Sequence, residues 1–175
     1  FHATVAVTNN LLNVLAATPS SPQRVEQEII LQTSLARALL ATRGYTLEAE
    51  QAYVRALALC GSAGEVPQLF PVLRGLASLY GLRSEHEKAL QMGERILRLA
   101  DHLDDMDMKT EGLLVTGYNL AFNENMQIGL ERIEQAIALY NSRRQRARRA
   151  GVGSYSAIVG LTASAFFLWM RGYPD

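Results

Sequence analysis

The sequence predicts an all-α protein of about eight helices, and three observations lead to this prediction. Of its 175 residues, 49 are Leu or Ala and only 17 are Val or Ile. Leu and Ala favour helices, whereas β-branched residues favour strands. Helix-breaking residues recur at near-regular intervals along the chain. No stretch alternates convincingly between apolar and polar residues, so no strand is predicted.

Composition also limits the class of protein. An apolar fraction of 49% excludes a disordered chain, and the length suits one domain with a sizeable core. Acidic and basic residues number 17 each, which argues against a general nucleic-acid binder. The single cysteine, Cys60, excludes a disulfide framework and a cysteine-based zinc site, and its helical neighbours predict that it is buried.

The first four helices are delimited by residues that start or end helices. Apolar residues at helical spacing between Val5 and Ala17 predict the first helix. Ser and Thr cap helix starts, Pro fits the first turn, and Gly ends helices in a conformation that other residues avoid. The second helix is therefore predicted from Ser21-Pro22 to Gly44, the third from Thr46 to Gly61 and the fourth from Pro67 to about Gly81.

The last four helices are delimited in the same way. Ser84, with Glu87 three residues later, predicts a capping box for the fifth helix. The sixth is predicted from Asp104 or Asp105 to about Phe122, the seventh from about Asn125 to Tyr140, and the eighth from about Gly153 to Arg171. Four acidic residues at 101, 104, 105 and 107 could bind a hard cation, but their spacing does not fit a calcium loop, so helix capping is preferred.

Both ends of the sequence indicate a piece of a longer protein. The chain begins at Phe1 without a signal segment, and Gly172 to Asp175 have the composition of a turn that opens a further helix. One repeat domain is expected, in which 1–18 is the last helix of a preceding pair, 22–62, 66–101 and 104–141 are helix pairs, 142–152 is a basic linker, and 153–172 is the first helix of a further pair.

Successive helix pairs repeat the same residue sizes at corresponding positions. Small residues at Ala36, Ala77, Gly117 and Ala165 allow close contact between helices, and a large residue three positions later fills the adjoining space. Further small residues at Ala52, Ala89 and Gly129 let the returning helix approach. This pattern resembles the tetratricopeptide repeat, without its Trp and its closing Pro. The resemblance implies a right-handed superhelical solenoid of antiparallel helix pairs.

A narrower resemblance is to one family of bacterial signalling proteins. The segments that carry it are ALLATRGY (38–45), EQAY (50–53), RA (55–56), PQLFPVL (67–73), GL (75–76), LW (168–169) and GYPD (172–175). In that family a helical repeat region follows an ATPase module, often with an adenylate/guanylate cyclase or DNA-binding domain at one end. The resemblance implies a cytoplasmic regulatory module whose ATPase and output domains lie outside these residues.

A concave groove is the predicted binding surface, because the first helix of each pair lines that side of a helical solenoid. The repeat register places ten side chains there: Thr33, Arg37, Arg74, Ser78, Glu111, Tyr118, Phe122, Phe166, Trp169 and Met170. Exposed aromatic residues with Arg nearby are typical binding anchors. Alternatively, the late aromatic residues pack on one another or on helices beyond Asp175.

A second candidate patch is a run of five arginines within seven residues: Arg143, Arg144, Arg146, Arg148 and Arg149. Such a run could bind phosphate, an acidic partner or an anionic membrane, or it could be a solvated connector. Because no aromatic residue interleaves with the arginines, contact with nucleic acid is not expected.

Signals for cofactors, metals and membranes are weak. The chain has no phosphate-binding Gly-rich loop, and His2, His86 and His102 lie far apart, with ordinary exposed positions predicted for the last two. No cofactor or metal is therefore expected. Residues 150–170 are uncharged and long enough to span a bilayer, but their Ser, Thr and Gly content and their repeat register favour a covered solenoid helix without membrane contact.

The sequence therefore predicts a non-catalytic interaction or regulatory module of a larger signalling protein. Its expected partner is a protein or peptide segment, including other domains of the parent chain. A homo-oligomerisation module and an enzyme with an unrecognised site between helices are the alternatives.

Overall fold

The fold is all-α in the part of the chain that the structure, a computed structural model, describes: residues 2–63, 68–123, 125–147, 155–170 and 172. No strand occurs in these residues, which confirms the predicted class. Their helices, in chain order, are α1 (His2–Ala16), α2 (Pro22–Arg43), α3 (Leu47–Ala63), α4 (Leu69–Leu82), α5 (His86–Leu103), α6 (Met106–Phe122), α7 (Met126–Ala147) and α8 (Tyr155–Met170).

The chain divides into two compact units, residues 1–83 and 84–175, which we call unit 1 and unit 2. In unit 1, α2 packs against α1, α3 and α4, and α3 also packs against α4. Its core contains both small and large side chains, since Ala36 and Ala56 are fully buried and so are Ile29, Leu73 and Leu76. The burial of Ala at helix contacts agrees with the expected role of the small residues.

Unit 2 is centred on α6. This helix packs against α5, α7 and α8, and α7 also packs against α8. The core contains residues from all four helices, with Ile96, Thr116, Ile133 and Phe167 completely buried. Contact of α6 with α8, as of α2 with α4 in unit 1, brings the first helices of successive predicted pairs together. The predicted pairing of α4 with α5 stays a prediction.

Several helix starts follow the predicted capping. The Ser21 side chain accepts a hydrogen bond of 3.1 Å from the Arg24 backbone N–H, and Pro22 is the first helical residue. The Thr46 hydroxyl accepts one of 3.4 Å from the Ala49 N–H. At α6 the Asp105 carboxylate accepts from the backbone N–H groups of Asp107 and Met108, at 2.8 and 3.0 Å. Helix capping therefore accounts for this acidic residue.

The predicted capping box of α5 is wrong. The helix begins at His86 after Glu85, and neither residue 84 nor residue 85 forms a side-chain capping bond there. Ser84 has a φ of 59°, in the left-handed region, whereas a capping residue needs extended backbone geometry to reach the third helical N–H. The pattern of Ser84 and Glu87 was therefore present without the backbone conformation that the motif requires.

Helix α7 is longer than predicted, because it continues past Tyr140 to Ala147. Residues 142–147, predicted as part of a linker, are therefore helical. Arg, Gln and Ala are among the best helix formers, and no Gly or Pro interrupts this stretch. The extension places the backbone of Arg143, Arg144 and Arg146 in a helix.

The repeat pattern is followed closely in most of the pairs. Ala36, Ala52, Ala77 and Ala89 are buried as expected. In α8 the corresponding residues, Ala165 and Leu168, are exposed instead. The described neighbours of this helix are α6 and α7, which cover the side of α8 that carries Phe167. The predicted contact of Ala165 is with the returning helix of its own pair, which is not among the described helices, so this role stays a prediction.

Candidate interaction surface

Aromatic side chains of α6 and α8 converge in unit 2. We call Tyr118, Phe122, Phe166, Phe167 and Trp169 the aromatic cluster. The ring centroids of Tyr118 and Phe122 lie 4.9 Å apart, and those of Phe122 and Phe167 lie 5.0 Å apart in an edge-to-face arrangement with an interplanar angle of 68°. Phe166 lies 5.5 Å from Phe167 and 6.5 Å from Trp169. These distances are typical of favourable aromatic pairs.

Helix geometry explains how two short segments build this cluster. Tyr118 and Phe122 are four residues apart and therefore share one face of α6. On α8, Phe166, Trp169 and Met170 share a face for the same reason. Because α8 packs on α6 and α7, these two faces adjoin.

The cluster is anchored by one buried ring and is otherwise open to solvent. Phe167 has no exposed surface, whereas Tyr118 is 37% exposed, Phe122 39%, Phe166 44% and Trp169 66%. A buried ring fixes the position of its neighbours, and large exposed apolar groups that adjoin one another are unusual on a monomer surface. Four of the ten predicted groove residues are therefore brought together, namely Tyr118, Phe122, Phe166 and Trp169. Met170 is exposed and follows Trp169 on α8.

His86, which was predicted to be an ordinary exposed residue, is in fact a partly buried member of this region. Its ring stacks on Phe122 at a centroid distance of 5.4 Å and an interplanar angle of 5°. Its Nδ1 lies 3.0 Å from the Oδ1 of buried Asn119, whose Nδ2 donates to the Val115 carbonyl oxygen at 2.8 Å. Asn119 Oδ1 is thus the acceptor and His86 Nδ1 the donor.

No signal in the sequence indicated the His86 contact. The histidine precedes Asn119 by 33 residues, and the contact forms where the start of α5 meets the last turns of α6. The exposure expected for a residue in the first turn of a helix was overridden by this packing. His102, in the last turn of the same helix, is exposed as predicted.

The polar groove residues of unit 1 form a separate group. Thr33 is half-buried, and its hydroxyl donates a hydrogen bond of 2.7 Å to the Ile29 carbonyl oxygen. Arg37 of α2 and Arg74 and Ser78 of α4 are exposed. Both arginines act electrostatically on buried Tyr53 of α3. Burial raises the pKa of the Tyr53 phenol above its ordinary value, and the positive charges of Arg37 and Arg74 partly offset this.

The remaining predicted residues are placed as follows. Glu111 lies on α6, seven residues before Tyr118 and therefore on the same helical face. Of the arginine run, Arg148 and Arg149 lie outside the described residues, and so do the side chains of Arg143, Arg144 and Arg146. The predicted anion patch stays a prediction.

A cavity of unit 1 was not anticipated from the sequence. It has a volume of about 440 Å³ and lies between α1, α2 and α3. The residues that line it include Asn9, Gln32, Leu39, Gln51 and Arg55. Because they come from three helices and share no motif, the sequence alone gives no sign of the cavity. Ion pairs of Arg43 with Glu48 and of Arg55 with Glu28 border it.

The described residues contain few other groups with distinctive chemistry. No group of three or more His, Cys, Asp or Glu side chains in them is arranged to hold a metal ion. Cys60 is buried, as predicted. No described helix has both the length and the apolar character needed to cross a bilayer, and residues 150–154 of the uncharged stretch lie outside the description.

The chain is similar to a solved helical-repeat structure over nearly its whole length. The crystal structure of the nearly identical TPR-like repeats of a putative kinesin light chain from Podosopora anserina matches with a TM-score of 0.71, at 16% sequence identity, over 97% of this chain and 78% of that one. At this identity the likeness shows the fold, which is a TPR-like helical repeat. No protein-family model matches the chain, and a search of curated proteins finds no match.

Proposed function

We propose that this chain is a non-catalytic interaction module that binds a segment of a protein partner at the aromatic cluster. The observation that carries the proposal is the exposure of four adjoining aromatic rings, on Tyr118, Phe122, Phe166 and Trp169, around the buried Phe167. TPR-like repeats in general bind other proteins on the surface lined by the first helix of each pair. The aromatic cluster lies on α6 and α8, which the repeat register predicts to be first helices of pairs.

The physical properties of the cluster suit it to binding. Tyr and Trp bring large apolar area into an interface while losing little conformational entropy, because each has only two side-chain torsions. The rings of this cluster already contact one another, so little further ordering is needed when a partner docks. Exposed Met170 beside Trp169 adds an adaptable apolar surface.

The wider role that we propose is regulatory. The resemblance of several segments to bacterial signalling proteins supports a place in a larger cytoplasmic protein that transduces signals or regulates transcription, with catalytic and output domains elsewhere. Glu111, on the same face of α6 as Tyr118, would provide a polar contact to the partner. The other predicted polar contacts, Thr33, Arg37, Arg74 and Ser78, belong to unit 1 and stay predictions for that unit. A partner that binds one packing arrangement of the helices more tightly than another would shift the equilibrium between the two arrangements. Such a shift would in turn change the activity of an attached domain.

Selection of binding peptides tests the proposal. A library of random peptides displayed on phage is selected against the chain, and the affinities of enriched peptides are measured by titration. We expect Tyr118→Ala combined with Trp169→Ala to weaken their binding by at least about tenfold, the range for loss of interface anchors. The matched control is Tyr45→Ala combined with Leu47→Ala, which removes exposed large side chains of unit 1 and leaves the aromatic cluster intact.

Two outcomes of this experiment would contradict the proposal. One is that no peptide is enriched above an unrelated helical protein. The other is that enriched peptides bind the aromatic double variant and the control variant equally well.

Self-association is a second candidate function, favoured by two uncharged helices. Neither α1 nor α8 contains Asp, Glu, Lys or Arg, and exposed apolar side chains on them include Val7, Val14 and Leu168. Such faces can pair between copies of one chain. Light scattering at two concentrations a hundredfold apart distinguishes the functions, since an oligomerisation module would increase in mass with concentration and a monomeric module would not.

A further inference from the structure

The cavity of unit 1 has an apolar floor and a polar rim. Its apolar lining residues are all buried: Val5, Leu35, Leu39 and Ala52. Its polar lining residues are exposed or half-buried: Asn9, Gln32, Arg43, Glu48, Gln51 and Arg55. The volume of about 440 Å³ falls within the range of pockets that hold small molecules. The cavity therefore suits a small ligand that has an apolar part and a polar part.

One ion pair of the rim is open to solvent. The side chains of Arg43 and Glu48 are 49% and 60% exposed, and an ion pair so exposed contributes little to stability. In the described hydrogen bonds the Arg43 guanidinium donates to Glu48 through Nη1 alone, so its other N–H groups can donate to a ligand. The pair can therefore open at small cost and offer a cation and an anion side by side.

A second ion pair borders the cavity and is held more firmly. Arg55 contacts one carboxylate oxygen of Glu28 through Nε at 2.8 Å and through Nη2 at 2.7 Å, and the Glu28 side chain is only 14% exposed. The charges of these two residues cancel, as do those of Arg43 and Glu48. A ligand with only one charge would gain one attractive contact and one repulsive contact at the open pair, whereas a ligand with both charges would gain two attractive ones.

Three side-chain amides complete the rim. Those of Asn9, Gln32 and Gln51 come from three different helices and form no hydrogen bond to another described residue. Gln51 lies three residues after Glu48 and therefore on the same face of α3. Because an amide both donates and accepts, these groups can satisfy the hydrogen-bonding groups of a ligand that the open ion pair leaves unbound.

We propose that the cavity binds a free α-amino acid with an apolar side chain. The ligand carboxylate accepts hydrogen bonds from Arg43, and the ligand ammonium donates to Glu48, so that two charge-assisted contacts replace the direct ion pair. The apolar side chain of the ligand lies on Leu35, Leu39 and Ala52. This would give unit 1 an effector site of its own, and the inference does not depend on peptide binding at the aromatic cluster.

Three related probes test the charge requirement. They are leucine, N-acetyl-leucine, which lacks the ammonium, and leucinamide, which lacks the carboxylate. Titration calorimetry of the chain should show leucine binding at least about tenfold more tightly than either derivative, because each derivative leaves one charged group of the site without its partner.

A second series of probes tests the apolar floor. Glycine, alanine and leucine share both charged groups and differ only in the side chain. Complete burial of one methylene group strengthens binding about fourfold. Leucine should therefore bind at least about tenfold more tightly than alanine, and glycine should bind least.

Variants of the open ion pair locate the site. Arg43→Gln and Glu48→Gln, made separately, should each weaken leucine binding at least about tenfold. With Glu48→Gln, N-acetyl-leucine should lose its disadvantage against leucine, because the carboxylate that requires an ammonium is gone. The matched control is Arg83→Gln combined with Glu50→Gln, which removes an ion pair of unit 1 that does not line the cavity and should leave leucine binding unchanged. Circular dichroism checks that every variant keeps its helical content.

Three results would overturn the inference. One is the absence of saturable leucine binding at millimolar concentration, and another is equally tight binding of leucine and either derivative. The third is leucine binding by folded Arg43→Gln and Glu48→Gln variants as tight as that of the control variant. None of these results affects the proposed function, since Arg43 and Glu48 are not part of the aromatic cluster.

Discussion

The backbone of Gly129 in α7 lies directly against the backbone of Gly117 in α6. A Cβ atom added at Gly129 would lie 2.6 Å from the Gly117 carbonyl oxygen and 2.6 Å from the Ala121 nitrogen. Real Cβ atoms do not approach backbone atoms so closely, so the two helices can cross at this distance only because both positions lack a side chain. The crossing holds α7 against the helix that carries Tyr118 and Phe122.

Gly129→Ala should therefore destabilise the chain, by about 2 kcal/mol, as expected for overpacking against rigid backbone. This loss exceeds the gain of up to about 1 kcal/mol that Ala brings to a helix. The matched control is Gly61→Ala, in a helical position of α3 with open space around the added Cβ, which should stabilise the chain by about 0.5–1 kcal/mol. Urea denaturation measures both. Equal effects of the two substitutions would show that the crossing is not tight.

Phe167 and Trp169 lie two residues apart on α8, and their replacement by Ala should affect the stability of the chain very differently. Phe167→Ala removes a completely buried ring and should cost about 3–5 kcal/mol of unfolding free energy. Trp169→Ala removes a ring that is two-thirds exposed and should change stability by less than about 0.5 kcal/mol. Thermal and urea denaturation test this contrast. A large loss of stability for Trp169→Ala would mean that this residue is structural rather than a binding anchor.

The fold could be predicted from the sequence because its determinants are local. The caps at Ser21 and Asp105 form hydrogen bonds to residues two or three positions away, and the Leu and Ala content is a property of each segment. The predicted capping box at Ser84 was wrong for a related reason. Residue identities can match the capping motif, but the backbone conformation of Ser84 depends on how the residues before α5 pack.

The candidate site could be predicted only in part. The repeat register placed Tyr118, Phe122, Phe166 and Trp169 on first helices of pairs, because that assignment depends on periodicity alone. Contact between these rings depends on the packing of α8 on α6, and the stacking of His86 on Phe122 joins residues 36 positions apart. Such long-range contacts leave no periodic pattern in a single sequence.

His86 and Asn119 should be energetically coupled. Asn119 is buried, and loss of the imidazole leaves its Oδ1 without the 3.0 Å hydrogen bond, so His86→Ala should cost about 1–3 kcal/mol. A double-mutant cycle with Asn119→Ala should give a coupling energy above about 0.5 kcal/mol. Urea denaturation of the four proteins provides the measurement. Simple additivity of the two substitutions would show that the bond contributes nothing to stability.

Tyr53 should make the chain less stable at alkaline pH. Burial raises the pKa of its phenol above 10.0 in the folded chain, and the opposing effect of Arg37 and Arg74 is smaller. Once the pH exceeds the ordinary value, the unfolded chain releases the phenolic proton while the folded chain retains it, which favours unfolding. The contribution of this group to stability is complete below pH 10.0 and is lost as the pH rises through the raised pKa of the folded state.

Urea denaturation at about pH 8 and about pH 10.5, on either side of the ordinary tyrosine pKa, should therefore show a smaller loss of stability for Tyr53→Phe than for the unmodified chain. Equal losses for the two proteins would mean that the Tyr53 phenol ionises as readily in the folded chain as in the unfolded one.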